Sequence, residues 1–258
     1  MHPDQLKKLL FKDGDAVYNA VPILNPITED FPLMRTTLVP TLMDVLVRNQ
    51  AVKNPSVGIY EIAPVYRPKQ LPLTELPEQE FYVSGLLYGQ RTPAEWPAKA
   101  ENYDFYDVKG LVEAVLQGLG IQADLEVSDW ALLHPGKAAR YVKDGKVLCD
   151  FGQLHPKAID NYDVAGPVYV FEMHMDAILP LVNLLPDYHK VAKFPASSRD
   201  LAFLAPVETA NADIVRIIKQ WALSLVKKVP SSKPPTITQP ICCRLSAPAP
   251  LASASGTE

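Results

Sequence analysis

Two histidines and an aspartate offer the first candidate chemistry: His134 in a His-Pro-Gly string, Asp150, and His155 in a Leu-His-Pro string. Two imidazoles and a carboxylate can hold a metal, but the 21-residue separation of the histidines fits no common ligand pattern. Turn or packing roles are expected for both, and no metal site. Cys149 precedes Asp150 in a strand-like run with no basic neighbour to lower its pKa, which describes an inert thiol. The adjacent Cys242 and Cys243 do not easily bridge each other. Three cysteines so placed make neither a disulfide framework nor a zinc site, so a reducing cytoplasm is the expected compartment. Asp104, Asp107 and Glu113 could form a general acid–base set, yet they fall near the start of a helical pattern, where acids cap and favour the macrodipole.

The basic residues offer a second kind of chemistry. His189, Lys190, Lys193, Arg199, Arg216, Lys219, Lys227 and Lys228 cluster in a chain whose formal net charge is −4. Cations on a small sheet-and-helix unit suit phosphate contacts, which give affinity without reading base sequence; an ordinary solvated face is the alternative. The net charge argues against a chain that coats nucleic acid non-specifically. Arg35, just ahead of a helical run, reads either as an interface residue or as half of an ion pair at the helix start.

The elements that must position these groups follow from periodicity. Residues 3–10 and 38–49 read as helices, the second with a stripe of Leu38, Leu42, Val45, Leu46 and Asn49. Residues 57–66 and 81–89 are β-branched and aromatic and read as strands, with Pro68–Pro77 between them as a loop. Residues 106–119 are the clearest helix, closed by Gly120. Residues 138–152 are the clearest hairpin, turning at Asp144-Gly145. A buried strand at 167–173, a helical stretch at 176–185, a strand at 199–205 and a helix opened by Asn211 complete the pattern. In that last helix Ile214, Ile217, Ile218, Trp221 and Leu225 share a face.

At 258 residues, 48% hydrophobic and 21% charged, the composition is that of a soluble globular chain. No apolar run approaches the length of a membrane span and no secretory signal opens the chain. The pattern divides near 185–193 into a large α+β domain and a βα unit. From Pro230 to Pro250, six prolines in 21 residues and abundant Ser and Ala leave neither helical nor strand period, and the tail is expected to be disordered.

Six strings, in order, are similar to the beta chain of phenylalanyl-tRNA synthetase of bacterial type. They are NPITEDFPLMRTTLVPTLMDVLVRN (25–49), IYEIAPVYRP (59–68), YDFYDVKGLVEAVLQGLG (103–120), HPGKAARYVKDGKVLCDFGQLHP (134–156), PVYVFEMHMDAIL (167–179) and KFPASSRDLAFL (193–204). The resemblance spans residues 1 to about 229 and implies a C-terminal portion of that chain. Residues 1–186 would be its class II synthetase-like antiparallel-sheet domain, without that fold's catalytic groups. Residues 187–229 would begin a ferredoxin-like, anticodon-binding domain of which about one βα half is present. Residues 230–258 depart from the family, and a disordered or frame-shifted tail is the expectation there.

The residue chemistry agrees with a degenerate site. A class II centre stabilises charge developing on the ATP phosphates with an Arg, an orienting acid and a second Arg near a Gly-rich strand. Here Tyr66-Arg67-Pro68-Lys69 keeps the first Arg but puts Lys69 where the acid would be, and no Gly-rich strand ending in Arg follows. Arg67 is therefore expected at a surface or interface, and the isolated chain is expected to be inactive.

The resemblance implies a non-catalytic subunit of an aminoacyl-tRNA ligase that scaffolds a catalytic alpha chain, two of each, and contacts tRNA. The chain itself would bind no cofactor; ATP and magnesium would belong to the intact complex. Asn25, Pro26, Met34, Arg35, His134 and His155 are the implied subunit-interface residues, and Lys193, Arg199, Lys219 and Lys227 the implied tRNA contacts. A stand-alone class II-like enzyme activating a carboxylate, and a non-functional gene fragment, are the alternatives.

Overall fold

The computed structural model describes residues 1–11, 14–93, 96, 99–185, 196–203, 206, 209, 211–222 and 241–248. By backbone contacts the chain divides into two units, Met1–Pro186 and Asp187–Glu258.

The first unit is built on a seven-stranded antiparallel sheet with helices on both faces. Its strands are β1 (Ser56–Arg67), β2 (Glu78–Thr92), β3 (Glu101–Asn102), β4 (Asp124–Val127), β5 (Leu133–Lys143), β6 (Lys146–Leu154) and β7 (Val168–His174). They are ordered β1-β2-β7-β6-β5-β4, with β3 paired to β2. The short α1 (Pro3–Lys8) and the 13-residue α2 (Val39–Ala51) precede the sheet. α3 (Phe105–Gly118), α4 (Pro156–Asn161) and α5 (Met175–Ile178) are interleaved with its strands.

Period-2 alternation sorts the strand residues between two cores. On one face Val39, Leu42, Met43 and Leu46 of α2 pack with Val57, Leu86, Val168, Val170 and Leu154. Val45, counted in the expected stripe, points to solvent instead and Met43 takes the inner place. On the other face Val108, Val112 and Leu116 of α3 pack with Tyr141, Phe151, Tyr169 and Phe171.

The local grammar explains why these elements start and stop. Asp104 caps α3 by accepting from the Tyr106 and Asp107 amides while Asp107 reaches back to the Asp104 amide. At its far end Gly120 sits at φ 71°, and the amides of Gly120 and Ile121 close on Gln117 and Leu116. The hairpin turns at Asp144 (φ 51°) and Gly145 (φ 74°), both left-handed as a primed turn requires. The stretch at 176–185 is shorter than expected. α5 gives way to a 3-10 turn over Leu179–Leu181, where Pro180 interrupts the helical bonding, and the chain is extended by Val182.

In the second unit β8 (Ala196–Phe203) and α6 (Asn211–Ala222) fall where the strand and helix were expected. Part of the tail is a strand. Ile241–Pro248 forms β9, antiparallel to β8 with Phe203 opposite Ile241 and Ala196 opposite Pro248. Ile241, Cys243, Leu245 and Ala247 alternate with Cys242, Arg244 and Ser246, a strand period that the surrounding prolines disguise. Pro248 sits at the strand end, where it removes no interior ladder bond.

Candidate functional site

A row of polar residues crosses the α2 face of the large sheet. Glu61 pairs with Ser84, Ser84 with Glu172, Glu172 with Asp150, and Asp150 with Arg140, five strands in register. Registered antiparallel partners share a face, so these side chains lie side by side. Below the row the face is dry, packed with α2. Above it opens a cavity of about 390 Å³ lined by Arg67, Asp129, Trp130, Arg140, Asp150 and Glu172, among others.

Each charged group in the cavity has a partner. Arg67, on the last residue of β1, donates from Nε to Glu80 Oε2 (3.2 Å) and from Nη2 to the Tyr82 hydroxyl (2.8 Å). Tyr82 in turn donates to Glu80 (3.1 Å) and stacks on His174 at 4.6 Å. Arg67, expected at a surface or interface, is half-buried and lines the cavity. Its acid is Glu80, thirteen residues on and across the β1–β2 pair, whereas Lys69 pairs with Glu75 in the loop and with Glu78 at the start of β2. Arg140 holds Asp150 (Nε to Oδ1, 3.1 Å), Asp129 and Ser128.

Glu172 is the deepest charge, 5% exposed in a central strand. Thr37 Oγ1 (2.8 Å) and the Leu38 amide (3.2 Å), at the start of α2, both donate to its Oε2. Burial pushes its pKa up to about 7; the Thr37 and Leu38 bonds and Arg67 oppose that rise, and Asp150 adds to it. His174 is shifted down, chiefly by burial, and so favours the neutral form.

The residues expected from the sequence fall elsewhere. Asn25 and Pro26 lie in an exposed loop closed by the Pro22–Leu33 bridge, with Met34 and Arg35 half-buried just after it. Arg35 pairs with Glu61, which also accepts from Thr41 on α2, so the ion-pair reading of Arg35 is realised. His134 Nδ1 accepts from the Gly136 amide and His155 Nδ1 from the Lys157 amide, His155 capping α4. Both are therefore turn-forming residues. Among the described residues no group of three or more His, Cys, Asp or Glu is placed to hold a metal. Glu113 caps nothing: it bonds Lys109 and accepts from the Tyr141 hydroxyl (2.7 Å).

Cys149 is fully buried in β6, and burial first, then Asp150 and Glu172, push its pKa well up, so the thiol is inert. Arg199 falls in β8, opposite Leu245, and Lys219 in α6. His189, Lys190, Lys193, Lys227 and Lys228 lie outside the described residues. No sequence argument singled out Glu172, Trp130 or Arg140; a lone Glu inside the apolar run PVYVFEM was the available signal.

Residues 1–175 match the family model described as the phenylalanyl tRNA synthetase beta chain CLM domain. The chain belongs to the phenylalanyl-tRNA synthetase beta chain family. A beta subunit of phenylalanine–tRNA ligase from Geobacter sulfurreducens is 32% identical over 220 residues, which are 84% of this chain and 27% of that relative. One from Neisseria meningitidis serogroup A is 35% identical over 219 residues, again 84% and 27%. The chain therefore spans about a quarter of the length of these beta-chain relatives. The fold is also similar to a crystal structure of pyrrolysyl-tRNA synthetase from Desulfitobacterium hafniense, with a TM-score of 0.51 at 15% identity, covering 69% of this chain and 59% of that one. The antiparallel sheet of the first unit thus shares its fold with that synthetase chain. Among the described residues no helix is long and apolar enough to cross a membrane.

Proposed function

We infer that this chain is a non-catalytic portion of a phenylalanine–tRNA ligase beta subunit whose first unit holds the catalytic alpha chain. The exposed loop over residues 22–31 carries the reading. Ile23, Leu24, Ile27 and Phe31 all face solvent there, Leu24 and Ile27 almost completely. The loop is held, with the Ile23 amide bonded to the Pro32 carbonyl at 2.8 Å and the Met34 amide to Val21 at 2.9 Å. A fixed apolar protrusion of this kind is what a protein partner covers. Asn25, Pro26, Met34 and Arg35 belong to the same segment. His134 and His155 join the interface by the family resemblance, each with Nδ1 already accepting a local amide.

The cavity fits this non-catalytic role better than adenylate chemistry. Both guanidinium groups are engaged by carboxylates, and Glu172 and Asp150 add negative charge to the cavity, which opposes a bound phosphate. These residues do not suit ATP with magnesium, which we place on the alpha chain of an assembly of two alpha and two beta subunits. The basic stretch around Lys193, Arg199, Lys219 and Lys227 supports tRNA contact by the second unit, read as part of a ferredoxin-like domain.

Light scattering of the purified chain mixed with the alpha chain of the same organism tests the partner reading. A stoichiometric complex, abolished by Leu24→Asp with Ile27→Asp while the unfolding midpoint stays unchanged, is the expected result. Two species that ignore one another would sink it.

A further inference from the structure

The cavity above the polar row has a chemistry of its own, independent of whether the alpha chain binds. Both hydrogen bonds to Glu172 end on Oε2, as both to Asp150 end on Oδ1. No buried side-chain nitrogen or oxygen among the described residues lacks a partner, and no further hydrogen bond reaches either carboxyl. Glu172 Oε1 is consequently open to the cavity, at the bottom of a site whose walls otherwise satisfy themselves. Asp150 Oδ2, on the adjacent strand, stands beside it as a second acceptor.

The charge balance selects the ligand. Four carboxylates, Asp15, Asp129, Asp150 and Glu172, and two guanidiniums, those of Arg67 and Arg140, line it, and Arg67 is already engaged by Glu80 behind the wall. An anion would meet an excess of negative charge at low dielectric. A divalent metal needs several oxygens converging on one point, and no such group exists among the described residues. Carboxylates on neighbouring strands, their Cα atoms about 5 Å apart, instead suit the separate N–H donors of an ammonium group. Trp130, with Phe11 and Val17, gives the cavity an apolar wall, and an indole face attracts a cation as well as covering its hydrocarbon. We propose that this cavity binds a small organic ammonium, its nitrogen donating to Glu172 Oε1 and Asp150 Oδ2 and its body lying along Trp130.

Binding would be coupled to protonation. Glu172 is faced by Arg67 from β1, Ser84 from β2, Asp150 from β6 and Thr37 ahead of α2, with Arg140 beyond Asp150. With its carboxyl titrating at about 7, only the ionised form accepts the ammonium fully. Affinity should rise about tenfold between pH 6 and pH 8 as the ionised fraction climbs from roughly a tenth to nine-tenths.

Titration calorimetry of the full chain with n-butylammonium, in two buffers of different protonation enthalpy, tests this. Saturable binding that tightens about tenfold from pH 6 to 8, with release of a fraction of a proton at pH 7, is expected. Butyrate should not bind. Glu172→Gln should weaken binding at least tenfold at pH 8 and flatten the pH dependence. Absence of saturable binding, equal binding of butyrate, or a pH-independent affinity would overturn the proposal. The proton-release measurement on the unmodified chain decides the matter even if the variant does not fold.

Discussion

Glu172 and Thr37 lie 135 residues apart in the chain, yet the threonine hydroxyl donates a 2.8 Å hydrogen bond to the glutamate carboxyl. With the Leu38 amide at 3.2 Å on the same oxygen, the contact ties the start of α2 to the centre of the sheet. It also seals one half of a carboxylate and leaves the other half to the cavity. A buried acid satisfied on one side only is costly to ionise, and that cost should be measurable.

The first consequence is a pH dependence of stability. Because the folded-state pKa is raised from 4.5 to about 7, the native chain binds more protons than the unfolded chain within that window. Glu172 therefore favours the fold most below pH 4.5 and loses its contribution as pH climbs to 7, by about 3 kcal/mol in all. Glu172→Gln keeps an acceptor for Thr37 and Leu38 but cannot ionise. Relative to the unmodified chain it should gain about 2 kcal/mol between pH 5 and pH 8. Urea midpoints of both proteins at the two pH values give the answer; parallel profiles would contradict the assignment.

The sheet's other face is packed against the backbone of β2. A methyl group at Gly85 would stand 2.3 Å from Phe171 Cε1 and 3.1 Å from the Ile59 carbonyl oxygen. Gly85→Ala should cost about 1–3 kcal/mol, read from the urea midpoint. Adding Phe171→Leu should recover part of that loss, since the ring is the nearer obstacle.

At the start of α3, Asp104→Ala removes the acceptor for two amides and should cost about 1 kcal/mol, while Asp104→Ser keeps most of the stability. Thermal unfolding of the two variants separates capping from charge: equal losses would mean that the carboxylate acts only through the helix dipole.

Cys149 should be silent toward thiol reagents in the native state. In a Cys242→Ser, Cys243→Ser background, labelling by an aromatic disulfide should proceed at the rate of unfolding and be independent of reagent concentration. Rapid, second-order labelling would show that the strand opens locally.

What could be read in the sequence follows from which residues carry a local signal. α3, the Asp144-Gly145 hairpin and β7 announce themselves through period, cap and turn chemistry, and each lies where expected. β4 was missed because Asp124–Val127 is an edge strand with all four side chains exposed, so burial never patterned it. β9 was missed because proline density masked four alternating apolar positions. The cavity was the least legible feature. Arg67 finds Glu80 across a strand pair, and Glu172, Asp150 and Arg140 meet only through register, which no short string displays. His134 and His155 were legible as turn residues, since each sits in a Pro-containing string and bonds an amide two positions along.

The registered row from Glu61 to Arg140 has a bearing on how this surface tolerates change. It works as a watershed. Substitutions on the α2 side of it are judged chiefly by volume, because most neighbours there are apolar. Those on the cavity side are judged by hydrogen-bond count and charge. A saturation survey of the face should therefore show two different alphabets of accepted residues, changing over within a single strand spacing. The cavity side could then be rebuilt for new ligands while the packing beneath α2 is left as it is.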